Sequence, residues 1–241
     1  MSQHAERILI ILPALNEGAS IARTVHNIRQ HMPAADVVVI NDGSTDDTAA
    51  QAAAAGAIVL HMPHNVGIGA SVQTGFQFAR RYGYDIVVRN DGDGQHAAED
   101  IPRMVEALCE SGADMVIGSR FLGGGGEETT TFARRVGIAI LVNLIRLITG
   151  RRFTDPTSGF AAFNRRAAAF CAVHYPHDYP EPEAIVILHR AGFKLQEIPV
   201  TMRPRTEGVS SITPVRSAYY MLKVILAILI NLLRPTPSVE E

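Results

Sequence analysis

Five short apolar runs dominate the first half of the chain: 7–12, 37–40, 58–60, 86–88 and 115–117. Each breaks off into a loop containing glycine and polar residues, and the first four loops lead into helical patterns. Continuous apolar runs of this length read as strands buried on both faces. Strands that alternate with helices predict an α/β fold, a mainly parallel sheet with helices on both faces. In such sheets ligands sit outside the carboxyl ends of the strands. Every polar cluster that follows one of these runs therefore falls where a site would lie.

The helical patterns fall at about 18–32, 49–55, 64–82 and 99–111. The last carries Ile101, Met104, Val105 and Leu108 on one face, and Gly56 is placed to close the second. Further on, Ala161-Ala162-Phe163 is strand-like and 184–191 is helical. Gln196 to Val200 reads as an edge strand, because Pro199 cannot donate to a ladder. Gly123 to Gly126 is a hinge or loop.

Composition removes several classes of function. A net charge of −2 and a pI near 6.5 give no bulk affinity for nucleic acid. Trp is absent and Tyr numbers 6, which argues against an aromatic stacking platform for bases or sugars. Cys109 and Cys171 lack metal-ligand spacing and fit a reducing cytosolic setting. The polar first residues do not form a signal peptide, so the expected location is cytoplasmic.

The sharpest chemical feature is Asp91-Gly92-Asp93-Gly94-Gln95-His96, directly after the fourth strand. Side chains at i and i+2 of an extended segment share a side, so Asp91 and Asp93 converge beyond the strand end. Two anionic oxygen donors suit Mg²⁺ or Mn²⁺ completed by waters and a phosphate. The alternative is a Gly/Asp turn with solvated carboxylates. His96 is either a third metal-site ligand or the N-cap region of the next helix.

Asp42, at the second strand end, can accept hydrogen bonds from a nucleobase or ribose; its alternative is a helix cap. Asp46 and Asp47 read first as caps. Gly67 and Gly69 before a helix lack a third glycine and a Walker lysine, so a structural turn is the better reading.

Two later helices are apolar and basic. Residues 134–148 include Arg134, Arg135 and Arg146, with Arg151 and Arg152 just beyond. Residues 219–233 contain Lys223 and lie between Arg216 and Arg234. Both are short for a bilayer span. The first is either a membrane-surface helix or a core or oligomer-interface helix, and the second is interfacial or packed on a partner subunit.

Taken together, the ordered motifs Pro13-Ala14-Leu15-Asn16-Glu17, Asn41-Asp42-Gly43-Ser44, Asn65-Val66-Gly67, Asp91 to His96, Gly118-Ser119-Arg120 and Ser158-Gly159-Phe160 resemble family-2 glycosyltransferases with the GT-A (Rossmann-like) fold. The late Arg205-Thr206-Glu207-Gly208-Val209-Ser210 resembles the loop of their dolichyl- and polyprenyl-phosphate sugar synthase branch. The resemblance implies a GT-A domain over 1–211, with 212–241 a membrane-associated or oligomerisation helix and polar tail.

It also implies roles by position. Pro13, Ala14, Glu17 and Asp42 would hold the nucleoside. Asp91, Asp93 and Gln95 would face the metal, Mg²⁺ or Mn²⁺, and Asp91 would also bridge toward the nucleotide. Arg120 and Arg205 would clamp the diphosphate, while Arg134, Arg135 and Ser210 would contact substrate. Two departures stand out: Asn41 replaces the usual first aspartate of that motif, and Ser211 replaces the usual lysine after the late serine.

The implied reaction is inverting transfer of a sugar from a nucleotide-diphosphate sugar. The favoured acceptor is a polyprenyl phosphate at the cytoplasmic membrane face, with a homo-oligomer compatible. A hydroxyl on a cell-surface glycan is the alternative acceptor, and would require a base from among Asp155, Glu181 and Glu183, Asp155 first. A non-catalytic nucleotide-sugar-binding scaffold is the third reading.

Overall fold

The computed structural model describes residues 6–122, 132–202 and 214–237. Its elements run β1 (Ile8–Ala14), α1 (Gly18–His31), β2 (Asp36–Asn41), α2 (Thr48–Ala54), β3 (Ile58–His61), α3 (Ile68–Tyr82), β4 (Ile86–Arg89) and α4 (Ile101–Ser111). They continue with β5 (Met115–Ser119), α5 (Phe132–Thr149), β6 (Ala161–Asn164), α6 (Arg165–His174), α7 (Pro180–Arg190), β7 (Leu195–Pro199) and α8 (Pro214–Leu233). A seven-stranded sheet in the order β3-β2-β1-β4-β6-β5-β7 forms the centre.

The sheet is mostly parallel, as the alternation predicts, and β7 lies on its edge as Pro199 requires. The exception is β6, antiparallel to both β4 and β5. Ala161 pairs with Arg89 and with Ile117, so β6 enters from the carboxyl-end edge of its neighbours. That entry sets Ser158-Gly159-Phe160 beside the residues that follow β4.

Period-2 alternation divides the strand side chains between two cores. Leu9, Ile11, Val38, Ile40 and Val87 face a core shared with α3, α5, α6, α7 and α8. Ile10, Leu12, Val37, Val39 and Val88 face the other, covered by α1, α2 and α4. Helix α3 comes very close to β1, since a Cβ on Gly75 would lie 2.9 Å from Ile11 Cγ2.

Three helices differ from the sequence reading. Helix α6 fills 165–174, where an Ala-rich stretch carries little periodic signal. Helix α7 starts at Pro180 rather than near 184; prolines in a first turn forfeit only amides that have no intrahelical acceptor. Helix α8 starts at Pro214 rather than near 219 for the same reason.

Helices α5 and α8 each bury one face. Leu141 and Ile145 of α5 and Val224 and Ile228 of α8 join the same core. Arg190 holds the end of α8 by donating to the carbonyls of Asn231 (2.5 Å) and Arg234 (2.9 Å). Their other faces leave Val136, Ile140, Leu147, Leu222, Leu226 and Leu233 exposed. Among the described residues no helix is long and apolar enough to cross a membrane.

Asp114 ties the far half of the sheet together. It accepts from the Lys194 amide (2.7 Å), Asn164 Nδ2 (2.9 Å) and Arg166 (2.7 and 3.1 Å). Burial alone would raise its pKa, but Arg166, the Lys194 amide and Asn164 outweigh burial and hold it below the usual carboxylate range. Its stabilisation is therefore complete above the unfolded-state carboxylate pKa and is lost as pH falls through the lower folded-state value. Asp114→Asn is expected to cost about 2 kcal/mol in urea denaturation at pH 7, with the gap from the parent narrowing below about pH 4.

Candidate active site

A pocket of about 390 Å³ opens across the carboxyl ends of β1, β2 and β4. Strand β1 separates the other two, which is the crevice position expected for ligands of such sheets. The pocket gathers Pro13, Ala14, Glu17, Asp42, Asp91 and Asp93 from the expected site residues, together with the candidate base Glu181.

The loops after β1 and β2 form one rim because they hydrogen-bond to each other. The Asn16 amide donates to Ser44 Oγ (2.9 Å), and Asn16 Oδ1 accepts from the Thr45 amide (2.9 Å). The Glu17 amide donates to Thr48 Oγ1 (2.8 Å) and the Gly18 amide to Asp46 (3.0 Å). Asn16 adopts φ +55°, a left-handed conformation that asparagine tolerates better than most residues. Asp46 thus acts structurally, accepting also from the Thr48 amide, while the Asp47 side chain at the N-cap of α2 makes no cap hydrogen bond.

Asp42 is nearly fully buried and spends its carboxylate on the backbone. Oδ1 accepts from the Val66 amide (2.8 Å) and Oδ2 from the Gly67 amide (3.1 Å). It fastens the Asn65-Val66-Gly67 turn to β2 while lining the pocket. Gly67 takes φ +89° at the start of α3, a turn that favours glycine.

Asp91 is the most elaborately held group. Its Oδ2 lies 3.1 Å from His96 Nε2, and since the carboxylate can only accept, Nε2 carries the proton. Arg89 approaches Oδ1 at 3.8 Å, and about a third of the Asp91 side chain remains open to solvent. Burial pushes this carboxyl up, but His96 first, then Arg89 and Arg120, hold it well below the usual range. The His96 ring is buried against Phe160, with 5.1 Å between centroids, and its backbone bridges to Met202. His96 is therefore a support for Asp91. Asp93 Oδ1 accepts from the Gln95 amide at 3.0 Å.

Arg89 had no place in the sequence reading, yet it is the hub of the wall opposite α1. Only 3 % exposed, it donates to Glu181 Oε1 (2.5 Å) and to the Tyr175 hydroxyl (2.9 Å). Burial favours its neutral form, but Tyr175, Glu181 and Asp91 more than compensate and keep it firmly cationic. Gly159 makes room for this cluster: a Cβ there would lie 2.8 Å from Asp91 Oδ2 and 3.1 Å from Arg89 Nη2. The sequence signal that marks Arg89 is a charge standing where the alternation places a core residue.

Other candidates fall elsewhere. Arg120 and Asp155 do not line the pocket. They form a buried two-pronged pair, Nε to Oδ2 at 2.5 Å and Nη2 to Oδ1 at 2.6 Å, with Arg120 also donating to Thr157 (2.8 Å). Asp155, fully buried, is not placed as an open base, and Arg120 is already committed. Gln95 also lies outside the lining. Arg135 is exposed on α5; Arg205, Ser210 and the side chain of Arg134 fall outside the described residues.

Asp91 and Asp93 supply two hard oxygen donors, and among the described residues no group of three or more His, Cys, Asp or Glu is arranged to hold a metal. Such a set fits a Mg²⁺ or Mn²⁺ ion that draws its remaining ligands from a diphosphate and water. It does not fit a metal caged by protein alone.

Comparison with known proteins agrees with this layout. The family model described as glycosyl transferase family 2 matches residues 9–170, which run from β1 into α6. A polyprenol monophosphomannose synthase of Mycolicibacterium smegmatis is 30% identical over 228 residues, covering 91% of this chain and 86% of that protein. An undecaprenyl-phosphate mannosyltransferase of Micrococcus luteus is 32% identical over 216 residues, covering 86% and 88%. A crystal structure of glucosyl-3-phosphoglycerate synthase from Mycobacterium tuberculosis with Mn²⁺, UDP-glucose and phosphoglyceric acid superposes with a TM-score of 0.70. It covers 96% of this chain and 81% of its own at 23% identity, a likeness of fold. With its GT-A sheet and motif-bearing strand ends, the chain belongs to glycosyl transferase family 2 and is a glycosyltransferase.

Proposed function

We propose that the enzyme transfers a sugar, with inversion, from a nucleotide-diphosphate sugar to a polyprenyl phosphate at the cytoplasmic face of a membrane. The observation that carries the choice of acceptor is the state of the candidate bases. Asp155 is locked to Arg120. Glu181 reaches the pocket but is paired with Arg89. Glu183 is almost fully buried and faces Asn231 of α8; burial first of all raises its pKa. A hydroxyl acceptor needs a base to take its proton, whereas a phosphate monoester is already anionic and attacks unaided. The two relatives named above, which act in polyprenol and undecaprenyl phosphate chemistry, support the same acceptor class.

On this reading Pro13, Ala14, Glu17 and Asp42 flank the nucleoside. Asp91 and Asp93 would hold Mg²⁺ or Mn²⁺, which when bound neutralises charge developing on the departing diphosphate. His96 and Arg89 keep the Asp91 carboxylate ionised and oriented, so that it presents a fixed charge and does not itself take up a proton. Arg205, Ser210 and Arg134 remain proposed contacts for anionic substrate.

The outward faces of α5 and α8 fit a peripheral membrane position. Leu222, Leu226 and Leu233 expose one apolar stripe, and Val136, Ile140 and Leu147 another. Exposed Arg135, Arg146, Arg151 and Arg152 accompany them, and neither helix contains an acid. Apolar stripes with basic borders suit an anionic lipid surface.

Three outcomes are expected. Consumption of donor should rise sharply when undecaprenyl phosphate in vesicles is supplied; an enzyme indifferent to lipid phosphate, or one in which Asp155, Glu181 or Glu183 is essential for transfer but not for donor binding, would point to a hydroxyl acceptor. Paired Leu222→Asp and Leu226→Asp should lower co-sedimentation with anionic vesicles about tenfold or more, since each exposed leucine contributes roughly 1.5–3 kcal/mol when buried. Gly159→Ala should weaken Mn²⁺-supported nucleotide binding by about tenfold, or about 1.4 kcal/mol, while the melting temperature changes by only a few degrees.

A further inference from the structure

Beyond the nucleoside and metal positions, the pocket has a third wall with no assigned role. Arg89 rises from β4 and Glu181 from the first turn of α7, and Ser71 belongs to the first turns of α3; all three line the pocket. The Arg89–Glu181 contact of 2.5 Å joins a cation with 4 % of its side chain exposed to a carboxylate with 16 % exposed. Among the described residues, Arg89 Nε and Ser71 Oγ are buried without a hydrogen-bond partner.

The order of groups across the sheet gives this wall its meaning. The apolar Pro13-Ala14-Leu15 rim and Asp42 lie at the ends of β1 and β2, and the carboxylate pair follows β4. β2 and β4 flank β1, so these positions are about 10 Å apart, a separation a nucleoside diphosphate can bridge. With the diphosphate on the carboxylate pair and the nucleoside toward β2, the glycosyl group extends to the remaining wall. A carboxylate beside a guanidinium is well matched to a pair of neighbouring hydroxyls, because the carboxylate accepts from one and the guanidinium donates to the other.

We propose that the Arg89–Glu181 pair is the sugar-reading wall of the pocket: Glu181 accepts from hydroxyls of the transferred sugar, and Arg89 fixes the Glu181 carboxylate in place. Tyr175 braces the far side of Arg89 (2.9 Å), and Asp91 at 3.8 Å links the wall to the carboxylate pair. This inference rests on the pocket being a nucleotide-sugar site.

Titration calorimetry with Mn²⁺ separates the two claims. The parent enzyme, Glu181→Gln and Glu181→Ala are each titrated with UDP, UDP-glucose, GDP and GDP-mannose. Binding of none of these to the parent would overturn the nucleotide-sugar reading, and with it this one. Where the parent binds a diphosphate, both variants are expected to keep its affinity within about threefold and to lose about tenfold or more for the matching sugar conjugate. Glu181→Gln preserves the volume and one hydrogen bond to Arg89, so it reports even if Glu181→Ala does not fold. Equal losses for diphosphate and conjugate, or no loss for either, would overturn the sugar-reading role while leaving the nucleotide site standing.

Discussion

Burying the Arg89 guanidinium at the end of β4 is the costly step on which the site depends. A cation taken from water without a partner costs several kcal/mol, so the surrounding chain is obliged to supply compensation. Glu181 and Tyr175 provide it from α7 and the segment after α6, and Asp91 adds a third, longer contact. These groups come from separate parts of the sequence, yet each has little freedom once Arg89 is in place. Gly159 is part of the same constraint, since any side chain there would collide with Asp91 and Arg89.

The antiparallel strand β6 makes this arrangement possible. A parallel strand between β4 and β5 would begin at the opposite edge of the sheet. Because β6 starts at the carboxyl-end edge, the Ser158-Gly159-Phe160 turn reaches the Asp91 carboxylate, and Phe160 supports the His96 ring. The next turn of chain leads through α6 to Glu181. One reversal in an otherwise parallel sheet thus brings the C-terminal half of the enzyme to a site begun by the N-terminal half.

Much of this was legible in the sequence, for identifiable reasons. The strand runs and their polar ends were readable because apolar continuity and glycine-bearing loops are local signals. The convergence of Pro13, Glu17, Asp42, Asp91 and Asp93 followed from their common position at strand ends. Arg89 was missed because its partners lie far along the chain: Glu181 is 92 residues away and Tyr175 is 86. Asp155 illustrates the same limit. In the sequence it stands as the first candidate base, and only folding reveals Arg120 occupying both of its oxygens. Helix α6 escaped notice because runs of alanine give almost no periodic contrast.

In the proposed function, the metal position at Asp91 and Asp93 is incomplete until substrate arrives. Calorimetric titration of Mn²⁺ alone, of nucleoside diphosphate alone and of the two together tests that claim most directly. Two protein carboxylates, with no third ligand grouped beside them among the described residues, should bind Mn²⁺ weakly, and the diphosphate should bind weakly by itself. Each is expected to tighten the other by the same factor, about tenfold or more, as linkage requires. Independent binding of the two, or tight Mn²⁺ binding with no nucleotide present, would contradict it.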